Sequence, residues 1–382
     1  MRKTTAKSKP VSQALLPWYD RQGRHLPWRT KAGPEKTDQL ANPYHVWLSE
    51  VMLQQTTVAT VGAYFTKFIE KWPTVQDLAK ADQEEVLAEW AGLGYYARAR
   101  NLHKCAGEVV TRFDGQFPAD EALLKSLPGI GDYTAAAIGA IAFSLATAPV
   151  DGNIERVFTR LHRLSEPLPK VKEKVKALLK ATVPDKRNHD YVQALMDLGA
   201  GICTPTKPTC LLCPLKDMCD AHGAGDEEKY PLKAPKKEKP LRHAVAYVWA
   251  NETSIYLPKR PQKGMLAGMR EVPTSEWVKG DIRTANLENL FAAGPKTNDT
   301  PDSEILFDHH VVGDWQMIDG LVRHTFTHFH FDVKVVLCTE NPLKLQEITR
   351  NNAENDIFNL NELEKLALPT VMMKIIKHAL LK

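Results

Sequence analysis

The sequence predicts a two-part chain, an all-helical N-terminal domain followed by a smaller α+β domain. Three observations carry that reading. The chain has 382 residues, and roughly 100–200 residues per domain makes two or three domains the expectation. Up to about residue 225, apolar side chains recur every three or four positions, as at Tyr191, Ala194, Leu195 and Leu198, which is the period of a helix packed on one face. Beyond residue 242, the runs His243–Trp249 and Phe329–Val336 alternate and are rich in β-branched residues, as strands are. With 43% hydrophobic and 25% charged residues, the composition excludes wholesale disorder and collagen-like repeats. No apolar run reaches the roughly 18 residues of a membrane-spanning helix.

In chain order, residues 1–12 are expected to form a flexible basic tail, because Met1–Lys9 is basic and hydroxylated and leads into no secretory apolar core. Residues 13–228 then form the helical domain. Its short helices are punctuated at Pro73, Gly92-Leu93-Gly94, Pro118 and Pro128-Gly129. Residues 229–242 (KYPLKAPKKEKPLR) hold six basic residues, one acid and three prolines, which suits a stiff basic linker. Residues 243–382 make the second domain, in which the acid-rich stretch 281–319 reads as exposed loop.

Of the six cysteines, Cys105 and Cys338 are isolated in apolar surroundings and read as small core residues. Cys203, Cys210, Cys213 and Cys219 are crowded as C-x6-C-x2-C-x5-C. Without a secretory signal, that grouping points to a metal site rather than to disulfides. Four thiolates hold either tetrahedral zinc or an iron–sulfur cluster. A single close pair with long flanking gaps favours iron–sulfur over the double knuckle of zinc sites. Lys207 and Lys216 flank the ligands and would offer charge to an acidic partner.

Three further strings carry chemistry. Leu127-Pro128-Gly129-Ile130-Gly131 precedes an Ala-rich helix, and glycines at a helix N-terminus let backbone amides approach a phosphate. A plain helical connection has the same outline. Glu50 is the lone charge in Val46-Trp47-Leu48-Ser49-Glu50-Val51-Met52-Leu53. Desolvation there would raise its pKa into the range of a general acid, although a solvated strip of helix would also hold a glutamate. Asp151 in Val150-Asp151-Gly152-Asn153 is either a helix N-cap or a second carboxylate facing a developing cation. Paired carboxylates of separated pKa suit cleavage of a glycosidic or N-glycosidic bond.

Together these motifs resemble the helix–hairpin–helix DNA glycosylases that carry an iron–sulfur cluster, and within them the adenine DNA glycosylases of the MutY family. The strings that carry the resemblance are Leu26-Pro27-Trp28-Arg29, LSEVMLQQT at 48–56, Gly92-Leu93-Gly94-Tyr95-Tyr96, LPGIG at 127–131, VDGN at 150–153 and the four cysteines. The resemblance implies a six-helix barrel with a cluster-bearing subdomain, a 4Fe–4S cluster on Cys203, Cys210, Cys213 and Cys219, and a C-terminal Nudix-like domain. It implies removal of adenine opposite 8-oxoguanine or guanine in duplex DNA, leaving an abasic site.

In that frame Glu50 protonates the purine, Asp151 stabilises the sugar cation and Tyr133 supports Asp151. Tyr133 stands where lyase-competent relatives carry a lysine, so strand cleavage is not expected. Trp28, Arg29 and Gln193 would line the extruded adenine. Gln55 and Tyr95 would wedge into the duplex beside the 8-oxoguanine, with Thr56, Gly129, Gly131 and Asn153 as further DNA-binding residues. Tyr96 reads as core. The C-terminal domain lacks the acidic run of a pyrophosphate hydrolase after Gly268-Met269-Arg270-Glu271. Its Phe326-Thr327-His328 aligns with the family's Phe-Ser-His loop for 8-oxoguanine, and a metal at His324, His328 and His330 is the weaker reading of that stretch. The expected setting is a monomer at the bacterial nucleoid, in the cytoplasm and away from membranes. The alternatives are an endonuclease III-like glycosylase/lyase and a non-enzymatic, redox-sensing DNA binder.

Overall fold

A computed structural model describes residues 8–30, 39–234, 238–261, 264–292, 294, 314–342, 356–366 and 368–380. The helices are α1 (Ser8–Gln22), α2 (Pro43–Leu53), α3 (Val58–Lys71), α4 (Val75–Lys80), α5 (Gln83–Glu89), α6 (Ala97–Phe113), α7 (Glu121–Lys125), α8 (Asp132–Phe143), α9 (Gly152–Leu161), α10 (Lys172–Thr182), α11 (Asn188–Gly201), α12 (Asp220–Ala224), α13 (Leu287–Ala292) and α14 (Thr370–Leu380). The strands are β1 (Leu241–Trp249), β2 (Ser254–Tyr256), β3 (Val278–Lys279), β4 (Gln316–Met317), β5 (Val322–Thr325), β6 (His330–Cys338) and β7 (Ile357–Asn359). They form two bodies, Met1–Asp82 with Arg100–Lys236, and Gln83–Ala99 with Lys237–Lys382.

The first body is built around α8. Every residue from Thr134 to Ala142 is buried, as expected of a helix that is apolar on all sides. Its alanines leave room for α2 and α11, which both pack on it. Helix α2 starts cleanly because Pro43 occupies the first turn and the Asn42 side chain accepts from the Tyr44 amide at 2.9 Å. Helix α11 also packs against α9 and α1.

The α11–α9 approach depends on Gly199. A β-carbon there would lie 2.6 Å from the Asn153 Cβ and 3.0 Å from the Asn153 backbone. Just beyond, Arg156 on α9 donates to the carbonyls of Gly199 (2.6 Å) and Cys203 (2.7 Å), tying the end of α11 to the start of α9.

Three of the expected boundaries need correction. Residues 8–12 are not tail, because α1 starts at Ser8 and its stripe Val11, Leu15 and Tyr19 is at most 1% exposed. Residues 1–7 lie outside the described residues. The first part of segment 229–242 is not a free linker. The Tyr230 carbonyl accepts from Arg160 Nε, and the Leu232 carbonyl accepts from the Leu168 amide at 2.9 Å. Its last two residues open β1, and residues 235–237 lie outside the described residues. Finally, residues 83–99 group with the second body although they sit inside the helical sequence.

The second body centres on β1 and β6, which pair in parallel from Leu241↔His330 to Trp249↔Cys338. The sheet order is β3-β1-β6-β4, with β5 also on β6, and β2 and β7 form a small second sheet. Alternation sends Ala244, Ala246, Val248, Val333 and Val335 to a face shared with α14 residues Val371, Met372, Ile375 and Ile376. Val245, Tyr247, Trp249 and Val336 face the other way and are covered by Leu287, Leu290 and Phe291 of α13. The acid-rich stretch is therefore partly a packed helix, while residues 293 and 295–313 lie outside the described residues. Cys105 and Cys338 are fully buried, as read.

Replacing Gly199 with alanine is expected to destabilise the protein by about 1–3 kcal/mol, the usual cost of overpacking a close helix contact. Chemical denaturation of the variant beside wild type measures this, and an unchanged midpoint would contradict the packing account.

Candidate active site

Glu50 lies on α2 between fully buried turns and is 6% exposed. The Tyr133 hydroxyl donates to its Oε2 at 2.9 Å. Burial is the main influence on the carboxyl and pushes its pKa up to about 7. The Tyr133 hydrogen bond and the charge of Arg29 pull it down, and Asp151 pushes it further up. Tyr133 itself is raised well above the ordinary phenol value by burial and by the two carboxylates. Its hydroxyl thus stays a donor, and its partner is Glu50 rather than Asp151.

Asp151 fills both roles open to it. Its Oδ1 caps α9 by accepting from the Ile154 amide at 2.7 Å, and its Oδ2 accepts from Asn153 Nδ2 at 2.8 Å. Burial raises its pKa, and those hydrogen bonds to the charged form oppose the rise. The cap thus fixes the carboxylate in place. The Asn153 side chain is occupied with Asp151 and, through Oδ1, with Arg156 Nη2 at 2.9 Å. It acts here as a holder of the carboxylate.

Glu50, Tyr133, Asp151, Trp28, Arg29, Gln193 and Thr56 all line one cavity of about 410 Å³ in the first body. Trp28 is 6% exposed and meets Phe65 edge-on at 5.4 Å. Gln193 donates through Nε2 to the His189 carbonyl at 2.9 Å, which leaves its buried Oε1 with no partner among the described residues. A buried acceptor without a donor is costly, and it belongs to a residue that lines the cavity.

One residue beside this cavity was missed by the sequence reading. Asp197 on α11 is 3% exposed and accepts from Arg29 Nη1 (2.9 Å to each oxygen), Arg24 Nε (2.7 Å) and the Arg24 amide (2.8 Å). Its spacing of seven from the buried Asp190, on an otherwise apolar helix, was the available clue.

The turn residues fall as follows. Gln55 is exposed at the end of α2 with a left-handed φ of 62°. Gly129 has φ 76°, and Gly131 precedes α8 without any side-chain cap, so the first amides of α8 are open to a ligand. In the second body Tyr95 is 51% exposed with φ 50°, and its hydroxyl is hydrogen-bonded to that of Thr327, 232 residues away in sequence. Tyr96 is buried. Phe326 anchors the β5–β6 turn by packing on Phe329 (4.8 Å) and Trp277 (5.7 Å), which leaves Thr327 and His328 exposed. Among the described residues, His324, His328 and His330 form no metal-ligand group.

Cys203, Cys210, Cys213 and Cys219 converge on one small cavity with Arg160, Lys216, His222 and Glu227. Arg160, 1% exposed, donates to Cys203 Sγ (3.3 Å) and to the Thr204 (2.7 Å) and Pro205 (3.0 Å) carbonyls. The Leu215 amide lies 3.4 Å from Cys213 Sγ. Four sulfurs around a cavity, served by N–H donors, fit an iron–sulfur cluster, whose thiolates accept such bonds. Arg156 and Arg160, four apart on α9, are the residues by which the helix holds this loop, and the motif reading missed both.

Residues 48–185 match the family model described as HhH-GPD superfamily base excision DNA repair protein, and residues 244–378 match a NUDIX domain. That defines the class, a base excision DNA repair protein with an appended Nudix-like domain. The chain is 31% identical over 371 residues to the adenine DNA glycosylase of Buchnera aphidicola from Acyrthosiphon pisum, covering 96% of this chain and 97% of that protein. It is 37% identical over 373 residues to the human adenine DNA glycosylase, covering 84% of this chain and 65% of the human one. Of the rat and mouse proteins it spans 59%. Among solved structures a thermostable thymine-DNA glycosylase matches with TM-score 0.49 and 28% identity, covering 56% of this chain and 94% of that one. The chain belongs to the adenine DNA glycosylase family. No described helix is long and apolar enough to cross a membrane.

The raised Glu50 pKa has a stability consequence. With an ordinary value of 4.5 unfolded and about 7 folded, the folded chain binds the extra proton between those values, so stability falls as pH rises through that window. Glu50→Gln has no such proton to lose. It is expected to be more stable than wild type at pH 8 and equal to it near pH 4, as thermal melts at the two pH values will read.

Proposed function

We propose that the chain is a monofunctional adenine DNA glycosylase that hydrolyses the N-glycosidic bond of adenine mispaired with 8-oxoguanine or guanine in duplex DNA. The supporting observation is a near-neutral carboxyl, Glu50, hydrogen-bonded by Tyr133 in the same cavity as the Asp151 carboxylate.

The target base must leave the stack to be reached. In the cavity the adenine meets Trp28 and Arg29, and the free Gln193 Oε1 suits its exocyclic amine. Glu50 gives its proton to a ring nitrogen, so the electrons of the breaking bond pass to a neutral leaving base. The sugar is left with oxocarbenium character, against which Asp151 is held by the α9 amide and Asn153. Water then adds to the anomeric carbon and loses a proton to a carboxylate. Among the described residues no lysine lines the cavity, which supports an abasic site rather than a cleaved strand as the product.

The open amides at the start of α8, with Gly129 and Gly131, grip a phosphate of one strand. Gln55 and Tyr95 wedge beside the mispair, Thr56 contacts DNA next to them, and Thr327 and His328, braced by Phe326, read 8-oxoguanine. Cys203, Cys210, Cys213 and Cys219 hold a 4Fe–4S cluster. Base hydrolysis moves no electrons, so the cluster serves to shape the loop carrying Lys207 and Lys216. The near-complete match to a bacterial relative supports action at a bacterial nucleoid.

The test is adenine release from a duplex with one adenine opposite 8-oxoguanine, resolved with and without hot alkali. Strand breaks only after alkali, reduced about 10²–10⁴-fold by Glu50→Gln as for loss of a general acid, are expected. Breaks without alkali would indicate a lyase, and tight binding with no release would indicate a binding module.

A further inference from the structure

Two cations reach the rim of the cavity, Arg24 and Arg29, and one carboxylate, Asp197, holds both. We infer that Asp197 is a positioning residue for the reaction, orienting Arg29 in the cavity and offsetting its charge beside Glu50. This rests on the glycosylase reading and adds a residue to it.

The geometry is specific. Asp197 comes from α11, while Arg24 and Arg29 come from the segment after α1, and the Arg24–Asp197 contact joins residues 173 apart. The Asp197 side chain is 1% exposed and that of Arg29 7%. Both carboxylate oxygens are occupied, Oδ1 by Arg24 Nε and Arg29 Nη1, and Oδ2 by the Arg24 amide and Arg29 Nη1. Arg29 Nη1 is held by both oxygens of one buried carboxylate, a charge-assisted contact that limits where the guanidinium can sit. Without the tether, Arg29 would be a buried unpaired cation beside an acid that must stay neutral.

The groups around Glu50 set the sign. Tyr133 faces it from α8, Asp151 from the start of α9 and Arg29 from the segment after α1; the α11 neighbour, Gln193, is neutral. Tyr19 on α1 lies in the field of Arg29, Asp197 and Asp190, and Asp190 is itself bound to Arg187 at 2.7 Å. Arg29 favours the ionised form of Glu50. Removing the Asp197 charge therefore strengthens that pull and lowers the pH at which Glu50 loses its proton. Removing Arg24, the competing cation, leaves more of Asp197 to Arg29 and moves that pH upward.

The experiment is single-turnover adenine release from an 8-oxoguanine:adenine duplex across pH 5–9, for wild type, Asp197→Asn, Asp197→Glu and Arg24→Met. Asp197→Asn is expected to shift the falling limb of the profile about one pH unit to acid, making release about tenfold slower above it. Asp197→Glu should restore the limb, and Arg24→Met should move it the other way. A uniform loss at every pH with the limb in place would overturn the inference and leave Asp197 a structural anchor. If Asp197→Asn does not fold, Arg24→Met decides, since an unmoved or acid-shifted limb there contradicts the account. Wild type that releases no adenine would instead reject the glycosylase reading itself.

Discussion

The Glu50 carboxyl is held out of water on a helix whose neighbouring side chains Trp47, Leu48 and Met52 are fully buried. Its desolvation is offset in the main by one hydrogen bond, from Tyr133. An ionised carboxylate there would be costly, so the group stays protonated into the neutral range. The first body is arranged around that constraint. Helix α8 is apolar on every side, which lets it lie beneath α2 and deliver Tyr133 from its first turn. Helix α9 starts at Asp151, so the second carboxylate is fixed by the backbone it caps. Gly199 then permits α11 to approach that start closely.

Asp151 and Glu50 are both buried carboxyls, and their environments differ in the direction that separates their roles. Asp151 is stabilised in its charged form by an amide and an asparagine, whereas Glu50 is held by the Tyr133 phenol on an otherwise apolar stretch of α2. The same α9 that begins at Asp151 carries Arg156 and Arg160 to the cysteine loop. The cavity and the four sulfurs are therefore braced by one helix.

Much of this was legible in the sequence. A lone acid in an apolar helical run and a carboxylate at a helix start are local signals, and so are four crowded cysteines. The role of Asp197 was not legible, because its partners Arg24 and Arg29 lie in a segment near the other end of the helical sequence, and an aspartate after YVQALM looks like a solvated position. Composition misled at the N-terminus. The basic residues of 1–9 hid the Val11-Leu15-Tyr19 stripe, whose four-residue spacing starts a helix. Tyr230 and Leu232 were likewise masked by the lysines and prolines around them. The grouping of residues 83–99 with the second body, and with it the Tyr95–Thr327 contact, depends on tertiary packing that periodicity does not carry.

The central claim is that a neutral Glu50, tuned by the Tyr133 hydrogen bond, supplies the proton. The most direct measurement is the pH dependence of single-turnover adenine release by Tyr133→Phe beside wild type. That bond lowers the Glu50 pKa from where burial alone would put it. Its loss should move the falling limb of the profile from near pH 7 to higher pH. A limb that stays in place, or moves to acid, would contradict the account.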